Sequence, residues 1–346
     1  MHQYLRASGI VLFIAGMIGI SAHAIAEPRV VLVEENDAFS LLNPRDYGYT
    51  QGLRASLVFD DLSSASMTTR AFDLIGGLVF TGGAPDGPVR QQFEWVAVGQ
   101  SIFTPFDKQR VIPDPVDRPY AGWLYTGVAL AQETAGRQLD SFEFLAGVVG
   151  PAALGKQVQL GFHSVNGAVN PIVGWGSQLK NEPAALVAWD RRWKVDFNFA
   201  DGWEFDVIPS VGLTAGNVYT YGSAGGLVRF GRSLSSTWGP TRVRPAPSGA
   251  SFFSPNKHGP WLGFALFAGI EGRAMARNIF LDGNTFISGG PSVRKNVFVG
   301  DFIGGAEVFT QSGARLSFSL TQRTQEFKNQ PKGGDLFGSF EGSIQF

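Results

Sequence analysis

Two pairs of residues carry most of the chemistry open to this chain: Asn36 with Asp37, and Gln159 with His163. The first pair offers an amide and a carboxylate directly after Glu35. The second pair stands four residues apart, so on a helix both side chains share one face. An imidazole suits general-base work because it titrates near neutrality. Of the four histidines, His2 and His23 fall in the first 26 residues, and His258 sits in a Ser/Pro/Asn/Lys stretch that reads as a solvated loop. His163 is the one left for chemistry. Taken alone, it also reads as an ordinary loop histidine. Cysteine is absent, which removes thiolate nucleophiles, thiolate metal sites and disulfides. No G-x-S-x-G elbow and no zinc-like His/Glu spacing occurs.

The elements that must position these residues read as strands. In 261–273 the even positions Leu262, Phe264, Leu266, Ala268 and Ile270 are apolar, while Glu271 and Arg273 fall on the odd positions. In 297–309 Phe298, Phe302, Ala306 and Val308 share a face opposite Asp301 and Glu307. In 313–321 Leu316, Phe318 and Leu320 oppose Arg315, Ser317, Ser319 and Thr321. Such alternation is the mark of a strand with one apolar and one polar face. A slip of one residue would put the charges on the apolar side.

Composition and the two chain ends say what the apolar face meets. Charged residues make up 16% of the chain, against about 25% in a typical soluble domain. Residues 1–26 read as a secretory signal: a basic start, an apolar core over 9–20, and small-x-small sites at 22–24 and 24–26. At the other end Phe340, Ile344 and Phe346 lie on one face of a final strand. Export plus a terminal amphipathic strand fits an outer-membrane barrel, whose last strand must close on its first because no unpaired edge survives in lipid. The net charge of −1 gives no reason to expect a nucleic-acid partner.

The expectation is therefore an all-β chain: one transmembrane antiparallel β-barrel domain over 27–346, with about twelve strands and no second domain. The strands are expected near 29–37, 48–60, 91–104, 121–134, 140–151, 184–198, 203–217, 221–231, 261–275, 297–310, 313–327 and 336–346. The long connections 61–90, 105–120, 152–183, 232–260 and 276–296 are expected to face outward. Within the third of these, 154–165 is expected to form a short extracellular helix after Gly150-Pro151, with Gln159 and His163 on one face. Trp123, Tyr125, Trp175, Trp189, Trp193 and Trp203 read mostly as interfacial belt residues. On a continuing strand one of Asn36 and Asp37 would face lipid, so the strand is expected to end or bulge there; simple capping by Asn and Asp is the plainer reading.

Several blocks, in order, resemble the outer-membrane lipid A 3′-O-deacylase family. They are Glu35-Asn36-Asp37-Ala38-Phe39 with Asp46, Tyr49-Thr50-Gln51-Gly52-Leu53, and Gly99-Gln100-Ser101-Ile102-Phe103-Thr104-Pro105. Asp117-Arg118-Pro119-Tyr120-Ala121-Gly122-Trp123-Leu124-Tyr125 and Gly147-Val148-Val149-Gly150-Pro151 follow. Gly174-Trp175 with Gln178-Leu179 and Asn181-Glu182, then Gly216-Asn217-Val218, complete the series, which covers most of 30–230. The resemblance implies a twelve-stranded barrel in the Gram-negative outer membrane. It also implies calcium-dependent removal of the 3′-acyloxyacyl chain of lipid A, at a rim site between the barrel wall and a loop helix. Carried over, it implies catalytic roles for His163, Asn36, Asp37, Thr50 and Gln159, with Asn36 and Asp37 toward Ca²⁺.

The family pattern carries a Glu shortly after the His, and 164–174 contains no acid; Glu182 is the nearest one. Arg118 and Lys180 are candidates for lipid A phosphates. The partners implied are lipid A or lipopolysaccharide and outer-membrane lipids, with the chain a monomer. A phospholipase and a catalytically silent barrel or pore are the other classes the residues allow. For a pore, side chains such as Glu271, Arg273, Asp301 and Glu307 would have to leave a narrow lumen open.

Overall fold

The computed structural model describes residues 28–40, 47–60, 86–166, 172–245, 251–253 and 260–345. Residues 1–26 with the expected signal segment, most of the expected 61–90 connection, Asp46, His258 and Phe346 lie outside these. The strands are β1 (Arg29–Asn36), β2 (Gly48–Asp60), β3 (Val89–Thr104), β4 (Ala121–Thr134), β5 (Gln138–Val149), β6 (Glu182–Trp193), β7 (Val195–Asn198), β8 (Glu204–Gly216), β9 (Tyr219–Arg232), β10 (Leu262–Asn278), β11 (Phe298–Thr310), β12 (Arg315–Arg323) and β13 (Asp335–Gln345). β6 and β7 are one strand interrupted at Lys194, because both pair with β8. The sheet is thus a closed antiparallel barrel of twelve strands. Closure runs through β1 and β13, from Arg29 opposite Gln345 to Asn36 opposite Gly338.

The alternation read from the sequence decides which face is which. Leu266 and Ile270 are each 58% exposed, while Glu271 is 5% and Arg273 2% exposed. Phe298, Phe302, Leu316 and Ile344 are likewise exposed on the outer wall, and Asp301, Glu307, Arg315 and Glu341 are buried inside. An outer wall of this kind needs lipid to cover it.

The lumen is filled. Arg273 and Arg323 both clasp Asp301, and Arg315 spans Glu307 and Glu341. Arg54 bonds Glu94 and Glu143. Each ion is met by an opposite charge, as burial requires. An aromatic layer including Tyr49, Phe103, Trp123, Tyr125, Tyr219, Phe280 and Phe337 closes one end. Trp123 stacks on Tyr125 at 4.1 Å inside that layer. Neither is a belt residue, contrary to expectation: the alternation places both on the inner face. Trp193 and Trp203 remain on the outer side, Trp203 stacked on Phe230 at 4.9 Å.

Not all long connections leave the end expected. The connections after β3, β5 and β10 leave at the end away from Arg29 and Gln345, as outer loops should. Those after β2 and β9 leave at the end that holds Arg29 and Gln345. After β9, residues 233–245 fold back into the lumen as a strap. Its Arg242 donates to Glu35, Arg244 to Glu143 and Asp190, and the Thr241 amide to Glu341 at 2.8 Å. Trp238 donates to Glu133 at 2.8 Å. The arginines of this segment find their acids inside the barrel, which is the physical reason it is not an outward loop. Glu271, Arg273, Asp301 and Glu307 are buried in the interior together with this strap.

Candidate functional site at the barrel rim

β1 stops at Asn36 because the chain turns there. Asn36 keeps extended backbone angles, and its Oδ1 accepts the Ala38 amide at 2.8 Å, capping a 3₁₀ turn over Asp37–Phe39. The plainer expectation, a cap, therefore describes Asn36, and neither it nor Asp37 faces lipid. Each is 3% exposed. The Asp37 carbonyl accepts from the Ser40 hydroxyl at 2.6 Å, which fixes the turn. Glu35, one residue earlier, points into the lumen, where it accepts from Tyr49 and Arg242.

Thr50 sits where the β2–β3 register skips between Tyr49 and Gln51. Such a bulge re-aims a side chain at a barrel rim. The Thr50 hydroxyl meets that of Thr104 at 2.8 Å. Gln51 pairs with Asn36 on one side and with Ile102 on the other. Ile102 is buried among Tyr120, Ile172 and Trp175, with Val158 packed against them.

Those last contacts bring in the loop helix. A 3₁₀ turn with Pro at its first position (Pro151–Ala153) leads into α1 (Gly155–Asn166), within one residue of the expected span. Gln100 of β3 donates to the Ala153 carbonyl at 2.7 Å and pins the helix start to the wall. A Cβ on Gly155 would lie 2.8 Å from the Trp175 ring and 3.4 Å from the Gly122 backbone, so only glycine lets α1 approach β4 this closely. Trp175 Nε1 donates to Gln159 Oε1 at 2.9 Å, and its ring lies 4.9 Å from that of Tyr120. Gln159 is buried and His163, one turn on, is half-buried.

Three contacts thus join the two distant groups: Asn36 to Gln51, Gln51 to Ile102, and Ile102 to the cluster that holds Trp175 and, through it, Gln159. The sequence pattern gave Gln100 and Thr104 no role and read Trp175 as a belt aromatic, which its burial against Tyr120 and Ile102 corrects; all three stand inside the quoted blocks. Their signal was position in those blocks rather than reactivity.

Two phosphate candidates part ways. Arg118 is 1% exposed, bonded to Glu326 and Asp335 and placed over the Phe103 ring at 4.9 Å. It braces the lumen mouth and is not available to a lipid phosphate. Lys180 is exposed at the helix-bearing end. Glu182 accepts the Thr285 and Phe286 amides at 3.0 and 3.2 Å, tying the 283–297 loop to β6.

Among the described residues no group of three His, Cys, Asp or Glu could hold a metal. Asn36, Asp37 and Thr50 supply hard oxygens of the type calcium takes, but only one carboxylate, against a shell of six to eight oxygens. The donor chemistry fits calcium. The count requires oxygens beyond these three.

Closed topology, an apolar outer wall and a charged, packed lumen define a transmembrane barrel, here with a loop helix packed against β3 and β4. Compared with known families, the chain matches the model of the outer membrane protein LpxR over residues 10–346, and it belongs to that family. Among solved structures it is similar to LpxR from Salmonella typhimurium, with a TM-score of 0.70 and 21% identity over 92% of this chain and 100% of that one. The β domain of the Bordetella autotransporter BrkA aligns over 92% of this chain and 98% of its own, at 12% identity and a TM-score of 0.42. The NalP translocator domain from Neisseria meningitidis aligns over 99% of this chain and 96% of its own, at 9% and 0.34. No curated protein sequence matches the chain.

Proposed function

We propose that this outer-membrane barrel is a lipid A 3′-O-deacylase, hydrolysing the ester that holds the 3′-acyloxyacyl chain in the outer leaflet. What most supports the reading is the chain of contacts from Asn36 through Ile102 to Trp175 and Gln159. It links the strand end that carries Asn36 to the loop helix that carries Gln159.

Ester hydrolysis needs a nucleophile, a base and stabilisation of the carbonyl oxygen. His163 takes a proton from water as the water oxygen adds to the ester carbon. Thr50 and Gln159 donate to the oxygen that gains charge; one such donor contributes about 3 kcal/mol in the transition state. The proton then passes to the departing sugar oxygen, leaving a free hydroxyl and a carboxylic acid. Calcium, when bound by Asn36 and Asp37, would polarise the carbonyl. Lys180, an exposed loop cation, is a candidate to meet a lipid phosphate.

The test is hydrolysis of purified lipid A by the detergent-solubilised chain, with a His163→Ala control. Release of the 3′ chain by the wild type alone supports the assignment. A phospholipase would instead cleave glycerophospholipid and leave lipid A intact.

A further inference from the structure

The bond between Trp175 and Gln159 settles which way the Gln159 amide points. An indole N–H donates and cannot accept, so the atom 2.9 Å from Trp175 Nε1 must be the amide oxygen. The NH₂ group is then turned the other way. Gln159 is 2% exposed, and its Nε2 finds no acceptor among the described residues. A buried amide donor left unpaired is costly, and native structures retain one where a ligand or water completes it.

We infer that Trp175 is a positioning residue: it holds the Gln159 amide so that Nε2 donates to the carbonyl oxygen of the scissile ester. The inference rests on the deacylase reading and adds to it the source of one oxyanion donor. Trp175 is itself firmly held. It is 2% exposed, lies against Tyr120 and Ile102, and its ring leaves Gly155 room for no side chain. The donor is thus oriented before substrate arrives, which is what makes such a group effective. Without the indole N–H the amide is free to flip, and a carbonyl oxygen facing the ester oxygen repels it.

The experiment is a double-mutant cycle on the full-length barrel with lipid A as substrate. Trp175→Phe keeps an aromatic ring in the slot and removes only the N–H. It is expected to lower kcat by about 10-fold or more with KM little changed, since the donor acts on charge that develops in the transition state. Gln159→Ala is expected to lower kcat by about 10²-fold. Adding Trp175→Phe to Gln159→Ala should cost nothing further, because Trp175 acts through Gln159. Heat-modifiable gel migration verifies the fold of each variant. Full activity of Trp175→Phe overturns the inference, as does an equal loss in both backgrounds, which marks a structural role. A folded wild type that releases no acid from lipid A overturns the deacylase reading together with the inference, an outcome distinct from an active wild type with an unaffected variant.

Discussion

Arg242 Nε donates to Glu35 Oε1 at 2.5 Å across 207 positions of sequence. The bond joins the lumen strap to the last turn of β1, one residue before Asn36. Tyr49 Oη donates to the other oxygen of the same carboxylate at 2.9 Å. The strand end that carries Asn36 is therefore anchored from inside the barrel.

Removing one partner of this buried pair should be expensive. Arg242→Met leaves the Glu35 carboxylate facing the lumen without its cation, a change expected to cost about 3–5 kcal/mol. Urea unfolding in lipid vesicles measures it. The double variant Arg242→Met with Glu35→Gln is expected to recover much of the loss. Equal stability of the single variant and the wild type would show that the pair does not hold β1.

The filled lumen predicts an electrically silent barrel. Reconstituted into a planar bilayer, the wild type should give no stable conductance steps, because the strap and the arginine–carboxylate pairs occupy the interior. A steady ohmic current would contradict the packing and revive the pore reading.

His163 lies on a loop helix outside the strand ladder, so its loss should leave the barrel intact. His163→Ala is expected to reduce hydrolysis by a factor of about 10² or more with unchanged gel migration. Normal release of the 3′ chain by this variant would remove the histidine from the base role.

Calcium is expected to bind weakly, since Asp37 is the one described carboxylate of the shell and Glu35 is spent in the lumen. After chelation, activity should return only at roughly 10⁻⁴–10⁻³ M calcium, the range of sites with few charged ligands. Magnesium should restore less, as it gives up water reluctantly. A rate untouched by chelator would leave oxyanion stabilisation to Thr50 and Gln159.

The barrel was legible because its physics is periodic. Leu266 and Ile270 against Glu271 and Arg273 state the lipid and lumen faces outright, and the strand ends fall near where alternation ceases. The α1 span was legible from Pro151 and the Gln159–His163 spacing. What the sequence concealed is long-range. Nothing local distinguishes a strap from an outward loop in 233–245; only the acids waiting inside the barrel do. Trp123 and Tyr125 look like belt aromatics until strand parity turns them inward. Arg118 looks like a phosphate ligand until Glu326 and Asp335 arrive from the far end of the chain. The roles of Asn36 and Asp37 could not be read from their types, since capping and catalysis use the same oxygens.

Mass spectrometry of lipid A from Gram-negative cells with and without this chain decides whether it is a lipid A deacylase. A species lighter by the 3′-acyloxyacyl group is expected only where the wild-type protein is expressed, and is expected to vanish with His163→Ala. Unaltered lipid A in cells whose outer membrane carries the folded wild-type barrel would contradict it.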